Sequence, residues 1–120
     1  YHRRLNETIV ALNKIMPFEL CILDGITVYG STTSKLGLIM ASEDAVAMDA
    51  AAATIMGVNP KSVGHIVLAE REGLGSASFM TRGASLDYFK DKFPKRKLSD
   101  KAVEFGYRLV CALGLDNRLV

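Results

Sequence analysis

The sequence predicts a small α/β domain, with a mixed sheet of about three strands flanked by helices. Apolar residues make up 49% and charged residues 23% of its 120 residues, the proportions of a folded globular chain. Segments with three-to-four apolar spacing alternate with short β-prone runs. Pro17, Gly30, Gly57, Gly73 and Gly83 fall between those segments, where turns and helix ends belong.

The first element is a helix. Asn6 fits its N-cap, Glu7 meets the positive end of the helix dipole, and Leu5 and Val10 are spaced for a hydrophobic staple. Ile9, Leu12, Ile15 and Met16 recur at helical spacing until Pro17 stops the run. Phe18 to Leu23 is mostly apolar, as in a strand buried on both faces, and ends at Asp24-Gly25. Ile26 to Tyr29 is β-prone and leads into the loop Gly30-Ser31-Thr32-Thr33-Ser34-Lys35. A second strand, Leu36 to Ala41, leaves that loop, and so short a connection permits only antiparallel pairing.

Ser42-Glu43-Asp44 opens the clearest helix, with Ser42 as N-cap and two acids after it. That helix runs to Met56, and Gly57 supplies a left-handed C-cap. Its apolar residues lie on every side, the pattern of a buried helix. Asn59-Pro60 starts another, carrying Val63, His65, Ile66 and Val67 and stopping near Gly73-Leu74-Gly75. Ser78 to Arg82 reads as a third strand, and Ser85 as the cap of a brief helix through Tyr88 and Phe89. Lys90 to Lys101 is charged, contains Pro94 and reads as a linker. Ser99-Asp100 then caps an amphipathic helix with Val103, Tyr107, Val110 and Cys111 on one stripe and Gly114 as its stop. The expected division is an α/β domain over residues 1–93, then linker and C-terminal helix over 94–120. Three strands are few for such a sheet and the chain opens on Tyr1, so it reads as part of a larger domain, or one completed by a partner chain.

Several function classes are excluded. No apolar run approaches the ~20 residues that a membrane-spanning helix needs. A net charge of +2 is too small to argue for nucleic acid, and Asp91 and Asp100 interrupt the Lys90–Lys101 run, which reads as solvated. Cys21 and Cys111 sit in apolar segments and suit a reducing cytoplasm. They make no disulfide framework and cannot ligate an iron–sulfur cluster alone. No Ser-His-Asp or Cys-His set declares itself, so no reaction is inferred.

Asp49 is the most informative candidate. On a helical wheel it falls between Val46, Ala53 and Met56, so the pattern predicts an acid on an apolar face. A buried carboxylate needs a hydrogen-bond partner, a cation or a metal, which leaves either a structural bond or a ligand role. Asp24-Gly25 sits either at a strand end, where open α/β sheets bind ligands, or in a common turn dipeptide. The Gly30–Lys35 loop has the donors of an anion nest, or is a plain hairpin loop. Glu70 and Glu72 end a helix with the wrong sign for its dipole, which hints at a cation nearby or at a solvated end. His65 reads as a satisfied or half-exposed histidine and His2 as part of a mobile terminus.

The passages FELCILDGITVYG, LGLIMASEDAVAMDAAAATIMGVNP, HIVLAEREGLG and MTRGASLDYF resemble the later half of the domain of unknown function 362 family. The resemblance spans roughly residues 5 to 93 and is most specific from Asp44 to Pro60. It marks Asp24, Asp44 and Asp49 as motif positions, with Gly25 and Gly30 beside them. It departs after Asp24-Gly25, where Tyr29-Gly30-Ser31-Thr32-Thr33 replaces an acidic, glycine- and proline-containing loop. Members of that family are often fused to ferredoxin-type iron–sulfur modules, which implies such a module as a partner. The expected role is therefore a cytoplasmic α/β domain with Asp24, Gly25, Gly30, Asp44 and Asp49 around a ligand. Asp24 and Asp49 would hold a hard divalent cation, which prefers oxygen ligands. The alternative is a scaffold that docks an iron–sulfur module or forms a homo-oligomer.

Overall fold

The computed structural model describes residues 4–95, 105 and 109. The expected C-terminal helix from Ser99 to Gly114, with Val103, Tyr107, Val110 and Cys111, lies outside the described residues apart from those last two positions, as does His2. The elements run α1 (Leu5–Ile15), β1 (Cys21–Tyr29), β2 (Thr33–Ser42), α2 (Ala45–Ile55), a 3-10 turn (Pro60–Ser62), α3 (Gly64–Arg71) and α4 (Leu86–Lys92). This is a small α/β domain whose sheet, among the described residues, is one antiparallel hairpin.

Helix α2 is the wall between two apolar clusters. Val46, Ala50 and Ala53 face Val10 of α1 and Ile66 and Ala69 of α3. On its other side Ile55 meets Leu36 and Leu38 of β2 and Phe89 of α4. At 100° per residue these two faces lie nearly opposite each other, which is why apolar residues surround the helix in sequence. Its alanines keep the layers close, and Ala50 has no exposed surface at all.

Several local expectations are corrected. Helix α1 begins at Leu5 after Arg4, which makes no side-chain cap; Asn6 is already helical, Leu5 is exposed and Val10 is buried, so no staple forms. The N-cap of α2 is Asp44, not Ser42. Ser42 instead exchanges hydrogen bonds with the Asp44 main chain, its Oγ donating to the carbonyl and accepting from the amide. Asp24-Gly25 does not end a strand, because β1 runs on to Tyr29 through a bulge between Gly25 and Thr27. The hairpin loop is thereby cut to Gly30–Thr32.

β1 is not buried on both faces: Cys21 and Leu23 point inward while Ile22 and Ile26 are exposed. The expected third strand, Ser78–Arg82, is irregular and pairs with nothing in the sheet. The amides just before it, of Ser76 and Ala77, are already taken by the carboxylates of Asp44 and Glu70, and Gly83 turns the chain away at φ 100°. Lys90 to Lys92 belong to α4 rather than to a linker, and Phe93 packs against the hairpin cluster.

Gly57 and Gly73 fulfil their expected roles past the ends of α2 and α3, with φ of 75° and 76°. No helix among the described residues is long and apolar enough to cross a membrane.

Candidate functional site

Asp44 is the most heavily engaged carboxylate in the domain. Its Oδ1 accepts the amides of Val46 at 2.8 Å and Ala47 at 3.0 Å, capping α2. Its Oδ2 accepts the amide of Ser76 at 2.9 Å, from the loop after α3. The chain therefore crosses the start of α2 close enough that a Cβ on Gly75 would lie 2.7 Å from the Asp44 Cγ. One turn away the Glu70 Oε1 accepts the Ala77 amide at 2.9 Å. Two acids thus hold one loop through its main chain. Asp44 serves here as a latch.

Asp49 does not lie in the apolar interior. Its side chain is 51% exposed, and its Oδ2 stands 3.1 Å from Nε2 of His65 on α3. Ala45, Asp49, Ala52 and Met56 form the stripe of α2 between its two packed faces, and Asp49 and Met56 reach solvent there. The partner that a buried acid would have demanded is replaced by a half-exposed histidine and water. The reading of His65 as a satisfied or half-exposed residue agrees with this geometry.

Asp24 serves the bulge. Its Oδ1 accepts the amide of Ile26 at 2.9 Å, supplying a partner for the residue that the shifted register leaves unpaired. Gly25 beside it is buried, and a Cβ there would sit 3.4 Å from the Leu38 Cβ, in ordinary contact. Asp24, Gly25 and Tyr29 line a cavity of about 250 Å³ between the hairpin and the end of α2, which Asp49 does not line. Gly30 has a different use. Its Cα faces Pro94 so closely that a Cβ would stand 2.5 Å from the Pro94 carbonyl oxygen.

The five expected ligand residues are thus spread over the bulge, the hairpin end, the helix cap and the α2–α3 junction. No group of three or more His, Cys, Asp or Glu that could hold a metal occurs among the described residues. Of the acids at the end of α3, Glu72 meets Lys14 of α1 in an ion pair, and the lysine holds the carboxyl below its ordinary range.

Sequence reasoning passed over a larger opening. A groove of about 630 Å³ runs between β2, α2 and the segment from Phe79 to Ala84, and α4 closes one end. Its lining includes Leu38, Met48, Phe79 and Phe89, with Arg82 as the charged residue. The stretch of sequence that forms its wall, Ser78 to Arg82, reads as a strand because its composition is β-prone.

Residues 1–54 match the family model described as Domain of unknown function (DUF362). That stretch holds α1, the hairpin and nearly all of α2, together with Asp24, Gly25, Gly30, Asp44 and Asp49. The match ends well short of residue 93, where the resemblance was expected to stop. No curated protein and no solved structure matches the chain.

Proposed function

We propose that this chain, whose first 54 residues carry that family's pattern, is an interaction module whose outer faces are covered by other polypeptide. The observation that carries this reading is the amount of large apolar surface left outside. On α1 and its C-cap, Leu5, Leu12, Ile15 and Met16 are between 51% and 76% exposed, because only Val10 of that helix is buried. Their spacing with Ile9 is that of a helix seam that receives a second element. On the outside of the hairpin Ile22 is 69% and Ile39 is 64% exposed, on neighbouring strands. Soluble monomers rarely leave such runs bare, and burying one such side chain contributes about 1.5–3 kcal/mol.

In isolation these faces find each other. Light scattering across a concentration series should give a mass above that of one chain, and Ile15→Glu and Ile22→Lys should each lower it. Both positions are exposed, so the variants fold. A single-chain mass at every concentration would refute the reading. The resemblance to a family often fused with ferredoxin-type modules supports an iron–sulfur protein as the natural occupant, and adding such a module should then disperse the self-associated chain.

A second reading follows from the Asp49–His65 pair, whose two side chains reach solvent from adjacent helices. A carboxylate and an imidazole at this separation are donors for a divalent cation, with Asp24 and its cavity as a separate carboxylate position. Thermal shifts with Mg²⁺, Mn²⁺, Ca²⁺ and Zn²⁺ test it, and a shift that survives His65→Ala together with Asp49→Asn would remove this pair from consideration.

A further inference from the structure

We propose that the groove between β2, α2 and the Phe79–Ala84 segment is a binding site for a small organic anion with an apolar body, an aliphatic or aromatic carboxylate. Its volume of about 630 Å³ lies within the range of small-molecule sites, which are mostly apolar with a few placed polar groups. The floor has that character. Leu38 comes from β2, Met48 and Ala51 from α2, and Leu86 and Phe89 from α4. Ala47 and Ala51 give the helix side no bulk, so space remains where larger residues would have closed the layers.

The wall opposite is held from its near end. Ser76 and Ala77 are fastened by Asp44 and Glu70, and Ser78 alone separates them from Phe79 at the groove. Phe79 packs against the α1–α2–α3 cluster, whereas Met80 next to it is 96% exposed. The segment therefore stands off the sheet edge with its backbone anchored, rather than collapsing onto β2 as a third strand. A preformed gap of this kind reduces the ordering cost of binding.

Charge selects the ligand's head. Among the described lining residues Arg82 carries the only charge, no acid faces the groove, and Thr81 adds a hydroxyl donor. A guanidinium beside an apolar floor favours a carboxylate with a hydrocarbon tail over a neutral or cationic molecule of the same length. This site shares no residue with the α1 stripe, though Ile39 of the outer hairpin face also lines it, so it stands or falls apart from the α1 part of the interaction reading.

The probes are decanoate and decanol, which differ only at the head, each kept below its aggregation limit and titrated by calorimetry. Decanoate should bind at least fivefold more tightly than decanol. Arg82→Gln should remove that preference and leave decanol binding unchanged. Ala84→Leu, at an exposed position on the lining, should weaken both probes while circular dichroism shows the fold intact. Equal affinity for the two probes, an unchanged decanoate affinity in Arg82→Gln, or no decanoate binding would each overturn the proposal.

Discussion

Replacing Gly75 by alanine should destabilise the domain through Asp44, and only through it. Gly75 has no left-handed φ to protect, so its backbone accepts alanine without strain. The added Cβ, however, would fall 2.7 Å from the Asp44 Cγ and 2.9 Å from its Oδ2. The carboxylate must move, and with it go the cap of α2 and the acceptor for the Ser76 amide. Losing the cap costs about 1 kcal/mol, and stranding a half-buried amide about another 1–2 kcal/mol. The stiffer unfolded chain returns roughly 0.5–1 kcal/mol, leaving a net loss of about 1–2.5 kcal/mol. Asp44→Ala forfeits the same bonds directly, at about 2–3 kcal/mol. In the double variant the obstruction is gone, so Gly75→Ala should then cost nothing or stabilise slightly. Urea denaturation of the four proteins measures the cycle, with an expected coupling near 2 kcal/mol. Additive losses would refute the latch.

Asp49→Asn should change stability by less than about 1 kcal/mol, since an exposed pair with His65 contributes little; a loss above about 3 kcal/mol would mark a buried, committed charge. Gly30→Ala should cost about 1–3 kcal/mol, because the methyl meets the Pro94 carbonyl, and urea denaturation measures it. The lowered pKa of Glu72, held by Lys14, predicts a contribution to stability that is complete above the ordinary glutamate value of about 4.3. That contribution should disappear as pH falls below that value through the depressed one, and Glu72→Gln should flatten the acid limb of a thermal-melt profile.

What the sequence revealed depended on whether the signal was local. The antiparallel hairpin followed from a loop too short for a crossover, and the ends of α2 and α3 from Gly57 and Gly73. Asp49 was misplaced because alanine carries little information about burial. Ala45 and Ala52 share its stripe and read as apolar, yet that stripe lies between two packed faces and reaches water. The cap of α2 moved from Ser42 to Asp44 because both are good capping residues, and the crossing at Gly75 and Ser76 favours the longer-reaching carboxylate. Ser78–Arg82 had strand composition but no partner, since β propensity expresses packing against a neighbour rather than a backbone preference. The groove was invisible for a related reason. It is assembled from β2, α2, α4 and one loop, and no spacing along the chain encodes that meeting.

Methionine oxidation gives the most direct test of whether the outer face of α1 is an interface. Met16 is 65% and Met80 96% exposed in the single chain, while Met48, at 6%, serves as the protected reference. Under dilute peroxide, with mass spectrometry reading each site, Met80 should oxidise at the same rate at low and high protein concentration. Met16 should keep pace with it when dilute and fall toward the rate of Met48 when concentrated, with Ile15→Glu restoring the fast rate. A Met16 that tracks Met80 at every concentration would show a face that nothing covers.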